Sequence, residues 1–258
     1  MKITIGSNSY EIKENLTLKD AIELMELPMP ESLTKLYNSI LLNDKQKTYN
    51  DLQKKLTPDQ IYKEHPKFYG EALMLVSDIP KEVMDFIDPL SRIEFFTDYL
   101  EADFLDIYFG IPNNYKSQYI SEFTFKDVEY LMPKSLKVLD KYIPAYNETA
   151  LSFTEAADIM ATVHNLEDQG IKAMSSVIAI YCRKENEEYN EKLVIERSEL
   201  FKDLPLQIVW EVFFCMIKLL DTSAKQLITY TNLASEVLKK QEVLECAQES
   251  LKLHKQES

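Results

Sequence analysis

Apolar and polar residues alternate at two places in this chain and follow helical spacing almost everywhere else. Ile3 and Ile5 alternate with polar neighbours, Gly6-Ser7-Asn8 carries turn chemistry, and Tyr10 and Ile12 resume the alternation. That pattern predicts a β-hairpin over Lys2–Lys13. The same period of two returns over Glu122–Met132, with the turn at Lys126-Asp127 and Pro133 closing it. Between the hairpins the apolar period is helical. Thr17-Leu-Lys-Asp20 predicts a capping box with Asp in place of Glu, opening a helix through Leu27 that Pro28 and Pro30 end. Helices are predicted over Glu31–Leu42, Tyr49–Leu56 and Pro58–Glu64, with a break at His65-Pro66, because a residue before proline is driven out of the α region. Three more follow at Lys67–Ser77, Pro80–Ile87 and Pro89–Tyr108, with Asp88 placed to start the last of them. Gly110–Ser121 reads as a loop.

The C-terminal half is helical throughout. Ser152-Phe-Thr-Glu155 predicts a capped helix ending near Gly170, and Ile171–Cys182 a largely apolar one. After a charged break at Arg183–Asn186, Glu187–Lys202 is amphipathic. Asp203–Leu220 is apolar on nearly every side, with Trp210 at its centre and Asp203 expected as N-cap. A helix of that kind must be buried all round, and it is too short and too charged to span a bilayer. Ala224–Leu253 carries only a thin stripe, Leu233, Val237, Leu244, Ala247 and Leu251, which suits packing along the domain or pairing with another chain. The pattern predicts a mainly α protein, a helical bundle with two small β-hairpins. Residues 1–132 would hold the first hairpin and an acidic helical subdomain, and 133–258 a helical domain with a long terminal helix. No internal repeat is evident.

Composition narrows the function more by exclusion than by motif. Four glycines in 258 residues disfavour phosphate-cradling loops and dinucleotide-binding turns. A formal charge of −14 argues against a nucleic-acid backbone or an anionic membrane as partner. Cys182, Cys215 and Cys246 are odd in number and far apart, which suggests reduced thiols in a cytosolic compartment. The N-terminus lacks the apolar run of a signal peptide.

Half the net charge lies in one stretch. From Asp78 to Asp106 nine acids stand against two bases, with Phe86, Ile93, Phe96, Leu100 and Phe104 interleaved at helical spacing. Those rings and aliphatics are expected on a buried face. The acids opposite form either a solvated face or a docking surface for a basic partner, with Asp98, Glu101 and Asp103 at its centre. Tyr115 and Tyr119 on the loop, and Leu233, Val237 and Leu244 on the terminal helix, are further candidates for protein contacts. The cluster Tyr181–Tyr189 reads as ion pairs at a helix–helix turn or as a contact surface.

Catalytic and metal chemistry find no local support. Glu155 and Asp158 share a helix face, but His164 points elsewhere, and no Glu-x-x-His occurs. His65, His164 and His254 have no local nucleophile or carboxylate arrangement of a known kind, although such groups assemble in space. No catalytic residue, cofactor or metal is expected.

The hairpin Ile3–Ile12, the run Thr154–Ile159, the segment Ile178–Tyr189 and the segment Phe201–Phe214 together resemble proteins of the virion and tail-assembly genes of tailed bacteriophages. The likeness is to the tail assembly chaperone type. It implies a non-enzymatic protein of the host cytoplasm that holds other phage assembly or virion proteins through its surfaces, with self-association possible through the terminal helix. A permanent portal, neck or tail component is the alternative within that class. An acidic inhibitor of a host factor, or an enzyme, is the alternative outside it.

Overall fold

The computed structural model describes residues 1–40, 45–109, 116–133, 158, 161 and 170–222. The protein is mainly α, with two small antiparallel two-stranded sheets. Strands β1 (Lys2–Ile5) and β2 (Asn8–Glu11) form the first sheet. Helices α1 (Leu18–Glu26), α2 (Glu31–Ser39) and α3 (Lys45–Gln53) follow. A π-helical turn, Gln60–Glu64, runs directly into α4 (His65–Leu75). Then come α5 (Lys81–Phe86), α6 (Pro89–Tyr99) and α7 (Glu101–Tyr108). Strands β3 (Glu122–Phe125) and β4 (Val128–Leu131) make the second sheet. A 3-10 turn at Gly170–Ala173 leads into α8 (Met174–Tyr181), and α9 (Glu191–Phe201) and α10 (206–222) complete the described fold.

Local chemistry explains most of these boundaries. Gly6 sits at a φ of +62°, the left-handed conformation that a two-residue hairpin turn demands at its first position. Lys126 and Asp127 both take positive φ, at 49° and 62°, so the second hairpin closes through a type I′ turn without any glycine. Thr17 caps α1 as expected. Its hydroxyl accepts from the Asp20 N–H at 3.2 Å, and the Asp20 carboxylate accepts from the Thr17 N–H at 2.8 Å. Asp88 caps α6, accepting from the N–H groups of Leu90 and Ser91 at 3.0 and 3.1 Å.

Four expectations are corrected. His65-Pro66 is no break: His65 is α-helical and its N–H reaches back to the Gln60 carbonyl. The wide π turn admits Pro66 in the first turn of α4, where proline's missing N–H costs nothing. Pro89–Tyr108 is two helices, interrupted at Leu100 (φ −133°, ψ −26°). Asp203 does not cap α10. Its carboxylate pairs with Lys126 Nζ at 2.7 Å, and the helix starts beyond Pro205, whose carbonyl takes the first bonds from Ile208 and Val209. Phe86 does not face the core, as described below. The predicted helices over Ser152–Gly170 and Ala224–Leu253 lie outside the described residues, apart from Asp158 and Ala161, which are helical, and Gly170, which is left-handed at φ +56°.

The core is aromatic around each hairpin-bearing region. Tyr69 stacks on Phe96 at 4.3 Å between ring centres, and Phe104 meets Phe68 and Phe96 edge-on at 5.6 and 5.5 Å. Around the second sheet, Phe123 stacks on Tyr130 at 5.5 Å, and Phe201 meets Tyr130 edge-on at 4.9 Å. Trp210 is buried in the middle of α10, as the all-round apolar pattern requires. Backbone pairing ties the start of the chain to its later part. The Leu18 N–H donates to the Leu204 carbonyl at 2.9 Å, and the Leu206 N–H to the Leu16 carbonyl at 2.8 Å. No helix among the described residues is long and apolar enough to cross a membrane.

Candidate interaction surface

Helices α5 to α7 place the acidic stretch on the outside of the aromatic core. Phe96, Leu100 and Phe104 are buried, as their spacing predicts. Phe86 is the exception, with 92% of its surface exposed. It ends a six-residue helix, and Ile87 and Asp88 reset the helical phase before Pro89, so its spacing from Ile93 and Phe96 carries no information about its face. Leu90, four residues on, is 53% exposed. In the same stretch of chain Glu82, Asp85, Asp88 and Glu94 are all exposed, as is Lys81. The one nearby arginine is occupied: Arg92 Nε donates to the Ile87 carbonyl at 3.0 Å and its guanidinium to the Asp85 carbonyl at 3.2 Å.

The three acids read from the sequence differ in exposure. Asp98 is exposed on α6 and Asp103 is exposed in the first turn of α7. Glu101 is half-buried and turned toward a tyrosine group. Burial is the main cause that raises the phenols of Tyr37, Tyr49 and Tyr69, and the Glu101 charge adds to it in all three. Burial pushes the Glu101 carboxyl up. Tyr119 is half exposed at a φ of +53°, with the Lys218 ammonium 3.5 Å from its ring centre. Tyr115, Leu233, Val237 and Leu244 lie outside the described residues.

Two buried polar arrangements were not anticipated. Glu211, read from sequence as an interruption of an apolar helix, is a buried acceptor for the extended segment 116–120. Its carboxylate takes the Ser117 hydroxyl at 2.8 Å, the Gln118 N–H at 3.0 Å and the Ile120 N–H at 3.2 Å. Cys215, one turn further along α10, has its thiol pushed up to about 11 by burial, with the Glu211 charge next. Arg197 is the second. From α9 it donates to the carbonyls of Ala179 and Cys182 at the end of α8, pairs with Glu187, and lies over the Tyr130 ring. The charged cluster after α8 is thus joined to the core by an ion pair.

The nearest approach to catalytic geometry is Ser32 and His65. The Ser32 hydroxyl lies 2.8 Å from His65 Nε2, on the wall of a pocket of about 430 Å³ lined by Glu31, Lys35, Leu52, Gln60 and Glu64 among others. Burial lowers the imidazole's affinity for a proton, opposed by the Glu64 charge, so the ring is neutral at pH 7. No carboxylate hydrogen-bonds the other ring nitrogen among the described residues. Nor does any group of three or more His, Cys, Asp or Glu side chains suited to a metal ion occur among them. Comparison of the chain with family models, with curated proteins and with solved structures finds no match.

Proposed function

We propose that this is a non-enzymatic assembly protein, of the tail assembly chaperone kind found in tailed phages, that holds a basic and partly apolar segment of another assembly or virion protein. The observation that carries the docking part of this reading is Phe86. A ring with 92% of its surface in water gains nothing for the fold, and Leu90, four residues further along the chain, is exposed as well, with exposed carboxylates at Glu82, Asp85, Asp88 and Glu94 in the same stretch. An apolar anchor with a charged rim is the anatomy of a protein interface: the anchor supplies affinity once desolvated, and the rim supplies orientation and association rate. The acidic balance of the whole chain favours basic partners in the host cytoplasm over nucleic acid. The phage assignment itself rests on the sequence resemblance.

A photo-reactive phenylalanine analogue at position 86, expressed during infection, tests the reading. Crosslinking to a tail or virion protein in the lysate, with the protein itself missing from purified particles, is the expected result. Its presence in particles, together with a closed ring of many copies by light scattering, would make it a permanent portal or neck component. Labelling of Ser32 by a fluorophosphonate, lost in His65→Ala, would overturn the non-enzymatic reading.

A further inference from the structure

Phe86 stands in water on a piece of main chain that is held on both sides. Met84 and Ile87, which bracket Asp85 and Phe86 in the chain, are both buried, so the backbone is pinned to the core just before and just after the ring. The Ile87 N–H donates to the Met84 carbonyl at 3.1 Å and closes α5. Asp88 then caps α6 through the Leu90 and Ser91 N–H groups and accepts the Ser91 hydroxyl at 2.6 Å. A six-residue helix has too few internal bonds to hold such a corner alone.

Arg92 supplies the rest. Its Nε donates to the Ile87 carbonyl at 3.0 Å and a terminal nitrogen to the Asp85 carbonyl at 3.2 Å. These are the carbonyls of the residues on either side of Phe86. A guanidinium in so acidic a stretch would be expected to pair with a carboxylate, the stronger acceptor. Arg92 directs both of these bonds to main-chain carbonyls instead, and among the described residues no carboxylate pairs with it.

Gly70, in the interior of α4, makes room for this arrangement. A Cβ there would lie 3.3 Å from Met84 Cγ and 3.4 Å from Arg92 Cδ, so the Met84 side chain and the stem of the arginine rest against bare helix backbone. Glycine in a helix interior costs about 1 kcal/mol relative to alanine. The close approach of Met84 and Arg92 is the structural reason for it at this position.

We infer that Arg92 is a positioning residue of the docking surface: seated on Gly70, it fixes the α5–α6 corner so that Phe86 meets a partner already in its bound orientation, and it does so without pairing with the acids of the same stretch. This rests on the docking reading above and adds how the anchor is presented. An anchor ordered beforehand loses less conformational freedom on binding, which raises affinity without any new contact.

Calorimetric titration of the full chain at low salt with a synthetic amphipathic Leu/Lys helical peptide tests it, at a temperature where unfolding curves show every variant folded. Phe86→Ser should weaken binding about tenfold or more. Arg92→Lys keeps the charge but cannot span both carbonyls, and should weaken it about three- to tenfold. Arg92→Gln should weaken it by a similar factor, although loss of a cation from an acidic surface would by charge alone tighten a cationic peptide. In the Phe86→Ser background the Arg92 variants should weaken binding no further, because they act through the ring. Backbone nitrogen relaxation without peptide should show residues 85–88 as ordered as α4 in the wild type and more mobile than α4 in Arg92→Gln. Unchanged order in Arg92→Gln, either Arg92 variant binding as well as the wild type, or an Arg92 effect that persists in Phe86→Ser would overturn the positioning role and leave the docking reading standing. No binding by the wild-type chain, or binding untouched by Phe86→Ser, would overturn both.

Discussion

Ser117 and Glu211 are 94 residues apart in the chain and 2.8 Å apart in the fold. The carboxylate they share with the Gln118 and Ile120 N–H groups makes an otherwise apolar helix the anchor for an extended segment that has no strand partner. Glu211→Leu removes the acceptor and leaves these donors to be satisfied elsewhere, so unfolding in urea should show a loss of about 2–4 kcal/mol. Hydrogen exchange at Gln118 and Ile120 should accelerate more than at α4.

Arg197 should be similarly intolerant. Its guanidinium serves two carbonyls at the end of α8 and the Glu187 carboxylate at once. Arg197→Met strands a half-buried carboxylate and two carbonyls, with an expected cost of about 3–5 kcal/mol by denaturant titration. Arg197→Lys should recover little of it, because an ammonium cannot span the same partners.

Aromatic truncation should separate the core from the surface. Trp210→Ala removes a buried ring and should destabilise by about 3–5 kcal/mol. Phe86→Ser should shift the unfolding midpoint by an amount equivalent to less than about 0.5 kcal/mol, as expected for an exposed site. Near-equal effects would mean that Phe86 packs in the folded protein.

Two carboxyls should leave opposite marks on the pH dependence of stability. Burial acts to raise Asp20, but hydrogen bonds from Lys13 and Thr17 outweigh it and hold the folded-state value down. Its contribution is therefore present above the ordinary carboxylate range and lost as pH falls through the depressed value. Asp20→Asn should flatten the acid limb of a stability–pH curve. Glu101 is raised by burial, so its effect is most favourable below the ordinary range and is lost as pH rises through the raised value. Glu101→Gln should raise the melting temperature at pH 7, with the gain disappearing in acid.

How far the sequence could be read follows from the range of each interaction. The Thr17–Asp20 box, the Asp88 cap and both hairpin turns are set within four residues, and they stand where local chemistry puts them. Phe86 was misplaced because helical spacing was carried across Ile87-Asp88, where one helix ends and the next begins with its own phase. Glu211 could not be read, since its partners lie in a segment with no periodicity at all.

The bonds between residues 16–19 and 202–206 bear on how the protein is born. Leu18 leaves the ribosome well before Leu204, whose carbonyl its N–H needs. Translation at about 5–20 residues per second separates the two by about ten to forty seconds. Through that interval the edge at Leu16–Lys19 is an open backbone edge. The growing chain thus carries residues 16–19 without their backbone partners until residues 202–206 emerge to close them.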